Sequence, residues 1–225
     1  MLSIIIPTYN EKQNLPELTD RIKAVIPNCE IIVVDDNSPD GTAQFAQKLG
    51  LTTLIRPEKK GLASAVIDGF KIAKGDILAV MDADLSHPPE ILPQMLDLIK
   101  NNKADVVVGS RLVKGGGQIG WNFYNKLISN IARLPARFLT HVKDVTSGFF
   151  MIKRTVIQGV ELKPMGYKIL LEILAKGNYK KTTEAPIVFA DRTGSKSKMG
   201  LKECLEYLGQ VGLLIKDLMF KKGKK

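Results

Sequence analysis

Two aspartates, Asp82 and Asp84, stand two places apart where the apolar run Ile77-Leu78-Ala79-Val80-Met81 stops, shortly before Pro88-Pro89. Residues i and i+2 share one side of an extended backbone, so both carboxylates can face one cation as the strand runs out. Hard divalent ions take oxygen ligands, and Mg²⁺ typically combines one or two carboxylates with the phosphates of a substrate. The tripeptide by itself favours an Asp-rich turn that caps Pro88-Pro89 and the helix after it. Chemistry becomes the stronger reading only when other segments reach the same edge.

Several do. Leu2 to Ile6 is an apolar run closed by Pro7 and reads as a central parallel strand, with Thr8-Tyr9-Asn10-Glu11 as its edge loop. A helix capped by Asn14 or Asn10 follows to about Ile26, with Leu15, Leu18, Ile22, Val25 and Ile26 at helical spacing. Glu30 to Val34 is a second strand, and it delivers Asp35-Asp36-Asn37-Ser38-Pro39-Asp40-Gly41. Thr42 to Leu49 reads as helix, Thr52 to Ile55 as strand ending at Arg56-Pro57, and Gly61 to Ala73 as a helix whose small residues permit close packing on the sheet. After the Asp82/Asp84 strand come a helix over Glu90 to Ile99 and a strand over Asp105 to Val108, which leads into Gly109-Ser110-Arg111. This alternation predicts an α/β fold with a mostly parallel central sheet and helices on both faces. Ligands bind such sheets outside the carboxyl ends of the strands. Pro7 to Glu11, Val34 to Asp36, Asp82 to Asp84 and Arg111 all fall on that side.

The second half is less regular. Lys114 to Gln118, with three consecutive glycines, is expected to be mobile. Ile119 to Leu139 is amphipathic, basic and aromatic, and suits a core or partner-packing helix as well as a membrane-surface helix. His87 and His141 lack ligand-spaced neighbours and read as structural or exposed. Phe149 to Ile152 and Lys180 to Phe189 read as strands and Ile169 to Ala175 as a helix opened by Pro164 to Lys168. Ala190 to Met199 is a Gly/Ser-rich cationic loop, suited to closing over a polyphosphate or to being an ordinary solvated loop. Leu201 to Phe220 is a helical pattern broken by charges and followed by Lys221-Lys222-Gly223-Lys224-Lys225, a combination that suits docking on an anionic bilayer. The chain reads as one domain, in which 1–200 carry the chemistry and 201–225 form a membrane-facing amphipathic helix with a basic tail.

Composition narrows the partners. Among 225 residues, 33 Lys and Arg against 23 Asp and Glu give a formal net charge of +10, which points to an anionic partner. The aromatic pattern of RNA-binding sheets is missing, so nucleic acid is not expected. Cys29 and Cys204 follow no metal spacing and read as inert thiols in a reducing, cytoplasmic setting. Met1 leads almost at once into a strand, which argues against a signal peptide, and no uninterrupted apolar run approaches the ~20 residues of a span.

Taken together, Ser3-Ile4-Ile5-Ile6-Pro7-Thr8-Tyr9-Asn10-Glu11, Val33 to Thr42, Met81 to Glu90, Gly109-Ser110-Arg111, Thr146-Ser147-Gly148-Phe149, Gly166 to Glu172 and Arg192 to Lys198 resemble family-2 glycosyltransferases of the Rossmann-like GT-A fold. Within them the resemblance is to the dolichol-phosphate (polyprenyl-phosphate) mannosyltransferases. It implies GDP-mannose as donor, with Pro7, Tyr9, Glu11, Val34 and Asp36 holding guanosine and ribose, and Asp82, Ala83 and Asp84 meeting the diphosphate and a Mg²⁺ or Mn²⁺ ion. Similar enzymes often carry a Gln two places after the second Asp; Ser86 stands there, as a weaker oxygen ligand. Arg111, Lys168, Arg192 and Lys198 would neutralise phosphates, with Asp82, Asp84 and Arg111 central to catalysis.

The implied reaction is attack by a polyprenyl-phosphate oxygen on the anomeric carbon, with inversion to β-mannosyl phosphate and release of GDP. A phosphate monoester is largely ionised at neutral pH, with its second pKa near ~6, so no strong general base is needed; Asp144 is the one weak candidate. The implied location is peripheral, on the cytoplasmic face of a membrane, held directly or through a small membrane-anchoring subunit. A polyprenyl-phosphate glucosyltransferase using UDP-glucose is the alternative within enzymes. Val33-Val34-Asp35-Asp36 also suits a phosphoacceptor receiver module, but that would leave Asp82-Ala83-Asp84 and Arg192 to Lys198 without a role; a non-catalytic membrane-binding module is the third reading.

Overall fold

The computed structural model describes residues 1–58, 61–119, 136, 139–163, 169–190 and 209–216. Its first half is a run of alternating strands and helices: β1 (Leu2–Thr8), α1 (Leu15–Val25), β2 (Cys29–Asp35), α2 (Thr42–Lys48), β3 (Thr52–Ile55), α3 (Leu62–Ile72), β4 (Ile77–Val80), α4 (Leu92–Lys100) and β5 (Val106–Ser110). Beyond it lie β6 (Gly117–Ile119), β7 (Phe150–Lys153), α5 (Ile169–Lys176), β8 (Thr182–Pro186) and β9 (Val188–Ala190).

Seven strands form one sheet in the order β3-β2-β1-β4-β7-β5-β8, and β6 pairs with β9 in a second, two-stranded sheet. Within the large sheet β7 runs antiparallel to both neighbours, β4 and β5, while the remaining pairs are parallel. The inner strands are largely apolar runs because both sheet faces are covered there, while the edge strands β3 and β8 carry threonines. One face packs under α1, α2 and α4 through Leu15, Leu18, Ile22, Ala46, Leu92 and Met95. The other packs under α3 and α5 through Ala63, Val66, Phe70, Ile169, Leu170 and Ile173. At Gly69 an added Cβ would lie 2.5 Å from Ile5 Cγ2, so this glycine lets α3 settle directly on β1.

Several sequence-based expectations change. Pro7 does not end its strand: it pairs with Val34, and β1 runs on through Thr8. A parallel neighbour can carry a residue that lacks one N–H when the carbonyls on either side keep the ladder, and here Thr8 O accepts from Asp36 N–H at 3.1 Å. The glycine-rich stretch before β6 is tied down: Gly117 N–H donates to Ile187 O at 2.9 Å, and β6 pairs with β9. The single late strand from Lys180 to Phe189 is two, because after Pro186 the chain leaves β5 and joins β6.

The helical segment at 209–216 packs partly on the sheet. Val211 and Leu214 are buried in the core on the α3/α5 face, with Ile215 packed against it. The apolar stripe at these residues therefore belongs to the globule, leaving Leu213, 48% exposed, to face outward. Among the described residues no helix is long and apolar enough to cross a membrane.

Candidate active site

The strand order runs β3, β2, β1 one way and β4 the other, which puts the switch of direction between β1 and β4. An open α/β sheet has its ligand crevice at that switch, outside the carboxyl ends of the strands. Tyr9 to Glu11 leave from β1 and Met81 to Asp84 from β4, so the two blocks with the strongest chemical character flank one crevice.

On the β1/β2 side, Asp35 is fully buried and structural. Its carboxylate accepts from Thr8 Oγ1 at 2.8 Å, Ser38 N–H at 2.8 Å and Ser38 Oγ at 2.6 Å. Ser38 Oγ accepts in turn from Asn10 N–H, and Thr42 Oγ1 accepts from Glu11 N–H. The two edge loops are thereby stitched together, and Tyr9 is left 40% exposed at the rim. Glu11 is buried and accepts from Asn14 Nδ2 at 2.8 Å, so Asn14 steadies Glu11 and does not cap α1 with its side chain.

Two of the expected nucleotide contacts need restating. The Val34 side chain is completely buried in the core, so any contact it makes with a ligand is through main chain. Asp36 is buried against Arg56: its Oδ1 accepts from Arg56 Nε at 2.6 Å and its Oδ2 from Gly61 N–H at 3.2 Å. Arg56 also donates to Ser64 Oγ and to Gly61 O at 3.0 Å. Asp36 thus locks the loop before α3 through Arg56, a buried partner that sequence reasoning passed over. Its position at the carboxyl end of β3 was the available signal.

On the β4 side the ladder stops at Val80, with Met81 N–H still donating to Ile5 O at 3.2 Å. Leu85 then takes a left-handed backbone, φ +63°, which is unusual for a bulky residue and folds the chain back on itself. That turn brings Ser86 N–H and Oγ onto Asp84 Oδ1, at 3.1 and 2.5 Å. Ser86 is buried and buttresses the Asp84 carboxylate through these two bonds. Ala83 is likewise a core residue, so its part at a diphosphate is confined to main chain. The Asp82 side chain is 31% exposed.

His87, expected to be structural or exposed, is buried beneath this turn. Its Nδ1 accepts from Asp82 N–H at 3.0 Å, which places the ring proton on Nε2. The ring stacks on Phe149 with centroids 5.2 Å apart and meets Phe189 edge-on at 5.5 Å. Burial pushes the His87 imidazole below its ordinary value, against the opposing pull of the Asp82 and Asp84 charges.

Arg111 closes the far wall, just past β5. Its Nε and Nη2 donate to Asp144 Oδ2 and Oδ1, both at 2.7 Å, its N–H donates to Asp144 Oδ2, and Nη2 also reaches Thr146 Oγ1 at 3.1 Å. The guanidinium lies 5.4 Å from the centre of the Phe189 ring. Glu184 on β8 fixes the partner from behind by accepting from Lys143 N–H and Asp144 N–H. Both oxygens of Asp144 are committed to Arg111, so the candidate base of the sequence reading is an anchor for the arginine. Lys168, Arg192 and Lys198 lie outside the described residues.

The donor set suits a hard divalent cation completed by phosphate oxygens. Asp82 and Asp84 supply partly exposed carboxylates, the nearby histidine is occupied and buried, and no cluster of three His, Cys, Asp or Glu ligands occurs among the described residues. An all-protein cage is absent there, and a site shared with a substrate is what two carboxylates at a crevice offer.

The family profile described as Glycosyl transferase family 2 matches residues 3–160, which include both walls of this crevice. The chain belongs to glycosyl transferase family 2. Its curated relatives include a dolichol-phosphate mannosyltransferase of Pyrococcus furiosus, 48% identical over 96% of this chain. The chain spans 64% of that relative's length. Another dolichol-phosphate mannosyltransferase, from Saccharomyces cerevisiae, is 36% identical over 93% of this chain and 85% of its own. Among solved structures, glucosyl-3-phosphoglycerate synthase from Mycobacterium tuberculosis matches with a TM-score of 0.67 at 18% identity, over 94% of this chain and 80% of that one. Mannosyltransferase PcManGT from Pyrobaculum calidifontis, in complex with GDP-Man and Mn²⁺, matches with a TM-score of 0.58 at 19% identity, over 84% of this family-2 chain and 56% of its own. At such identities the structural likeness carries the fold, which is the Rossmann-like GT-A arrangement of this family.

Proposed function

We propose that this chain transfers mannose from GDP-mannose to a dolichyl or other polyprenyl phosphate, with inversion at the anomeric carbon. What supports the reading is that Tyr9 to Glu11, just past β1, and Asp82 to Asp84, just past β4, flank the sheet's switch point in a chain 48% identical to a dolichol-phosphate mannosyltransferase.

Asp82 and Asp84 would hold a Mg²⁺ or Mn²⁺ ion, which would supply positive charge opposite the departing diphosphate. Ser86 keeps the Asp84 carboxylate turned to the crevice, and the Pro7–Glu11 loop, with Tyr9 at the rim, receives the nucleoside. Arg111 presents an oriented N–H array; because Asp144 offsets its charge, it acts through direction as much as through net charge. Lys168, Arg192 and Lys198 supply further cations for donor and acceptor phosphates. The acceptor phosphate is already ionised at neutral pH, so alignment and charge neutralisation suffice and no side chain need remove a proton. The chain works peripherally at the cytoplasmic face of a membrane, its net charge of +10 favouring an anionic surface, on its own or with a small anchoring subunit.

The test is side-by-side incubation of polyprenyl phosphate with radiolabelled GDP-mannose or UDP-glucose, with and without chelator. Mannosyl lipid formed from GDP-mannose, lost with chelator and lost in Asp84→Ala, is the expected result. Preferential use of UDP-glucose, or transfer indifferent to chelator, overturns it.

A further inference from the structure

We propose that His87 is a positioning residue that takes over the β-ladder where β4 ends and thereby fixes the Asp82–Asp84 turn before any ligand arrives. The proposal rests on the transferase reading above, in which that turn meets the metal and diphosphate.

The register explains why a histidine is needed. β4 and β7 pair Leu78 with Ile152 and Val80 with Phe150, so two residues further on Asp82 would face Gly148. At that point β7 has not begun, and the Asp82 N–H, pointing toward it, would be left inside the protein without an acceptor. His87 Nδ1 fills the position, 3.0 Å from the amide. Gly148 makes room for it: a Cβ there would lie 3.3 Å from His87 Cε1 and from both Asp82 carboxylate oxygens. The imidazole thus stands where a strand would otherwise be, holding Asp82 by its main chain while the carboxylate stays in the crevice.

The ring itself is wedged. Phe149 lies parallel to it and Phe189 edge-on, and the same Phe189 ring lies under the Arg111 guanidinium. The turn it supports includes Leu85 at φ +63°, a conformation that persists only where its surroundings impose it. His87 therefore sets the height of Asp82 above the sheet and, through Phe189, its spacing from Arg111 on the opposite wall.

Two substitutions separate the acceptor from the ring. H87F keeps an aromatic disc between the phenylalanines and removes the acceptor; H87N keeps an oxygen close to where Nδ1 stood and removes the disc. Amide exchange read by mass spectrometry on the metal-free protein, and calorimetry of Mn²⁺ with GDP, report on the turn without turnover. In H87F, exchange over 81–86 is expected to accelerate about tenfold and the dissociation constant for GDP with Mn²⁺ to rise about tenfold, the size set by a buried N–H losing its partner. H87N is expected to recover both to within about threefold. Unchanged exchange and affinity in H87F, or equal impairment in H87N, overturns the proposal. Should H87F fail to fold, H87Q replaces it, since its amide reaches the Nε2 position; H87Q behaving like H87N then overturns the proposal. A wild-type protein that binds no GDP with Mn²⁺ refutes the transferase reading, whereas the metal-free exchange comparison still decides whether His87 holds the turn.

Discussion

An alanine methyl at position 148 would press within 3.3 Å of both Asp82 oxygens and of the His87 ring, so the smallest possible side chain bears directly on the site. Gly148→Ala is expected to leave the fold intact and to raise the KM for the metal-bound donor about tenfold, as steady-state kinetics at varied Mn²⁺ would show. At the other wall, Asp144→Asn removes half of a buried ion pair; loss of one partner typically costs about 3–5 kcal/mol, which denaturant titration should detect together with reduced transfer. Spacing alone was enough to put Asp82, Asp84 and Arg111 at the carboxyl edge of the sheet, because each is a charged residue at the end of an apolar run. It did not reveal the use of His87, Asp144 or Ser86. Their roles depend on Phe149, Arg111 and a left-handed Leu85, and neither distant contacts nor backbone handedness is written in local spacing.

At the level of elements, the strands were legible wherever an apolar run was bounded by turn residues, as in β1, β2 and β3. The direction of β7 was not, since a fully buried run has the same composition whichever way it points. Nor was the pairing of β6 with β9, whose short strands show no periodicity of their own. Close packing is strictest where α3 meets β1. Gly69→Ala would force its methyl against Ile5, and overpacking of this kind costs about 1–3 kcal/mol, measurable as a lower denaturation midpoint with unchanged slope.

For the molecule as a whole, the +10 charge and the outward-facing Leu213 bear on attachment. Removing 201–225 would also strip Val211 and Leu214 from the core, so single substitutions are the cleaner test. Leu213→Glu should weaken flotation with anionic vesicles at unchanged thermal stability, whereas Val211→Glu should lower stability. Acid sensitivity has its own source, at the opposite edge of the sheet. The hydrogen bond from Lys153, aided by Lys180 and Lys181 main chain, holds the Asp105 carboxyl below the ordinary aspartate value of 3.8. A lowered folded value means stability that is full above 3.8 and is lost as pH falls through the folded value. Asp105→Asn should therefore melt earlier than the parent at neutral pH, with the gap closing in strong acid.

Because β7 is inserted backwards between β4 and β5, the chain departs from Ser110 and returns at Phe150 on the same rim of the sheet. Everything between those residues is an excursion that starts and finishes beside the crevice, its two ends pinned by Arg111 and Asp144. Such a detour could lengthen, shorten or be exchanged between relatives while the strand order beneath it stayed as it is. Cutting and rejoining the chain at those two ends would leave every strand of the large sheet in its place.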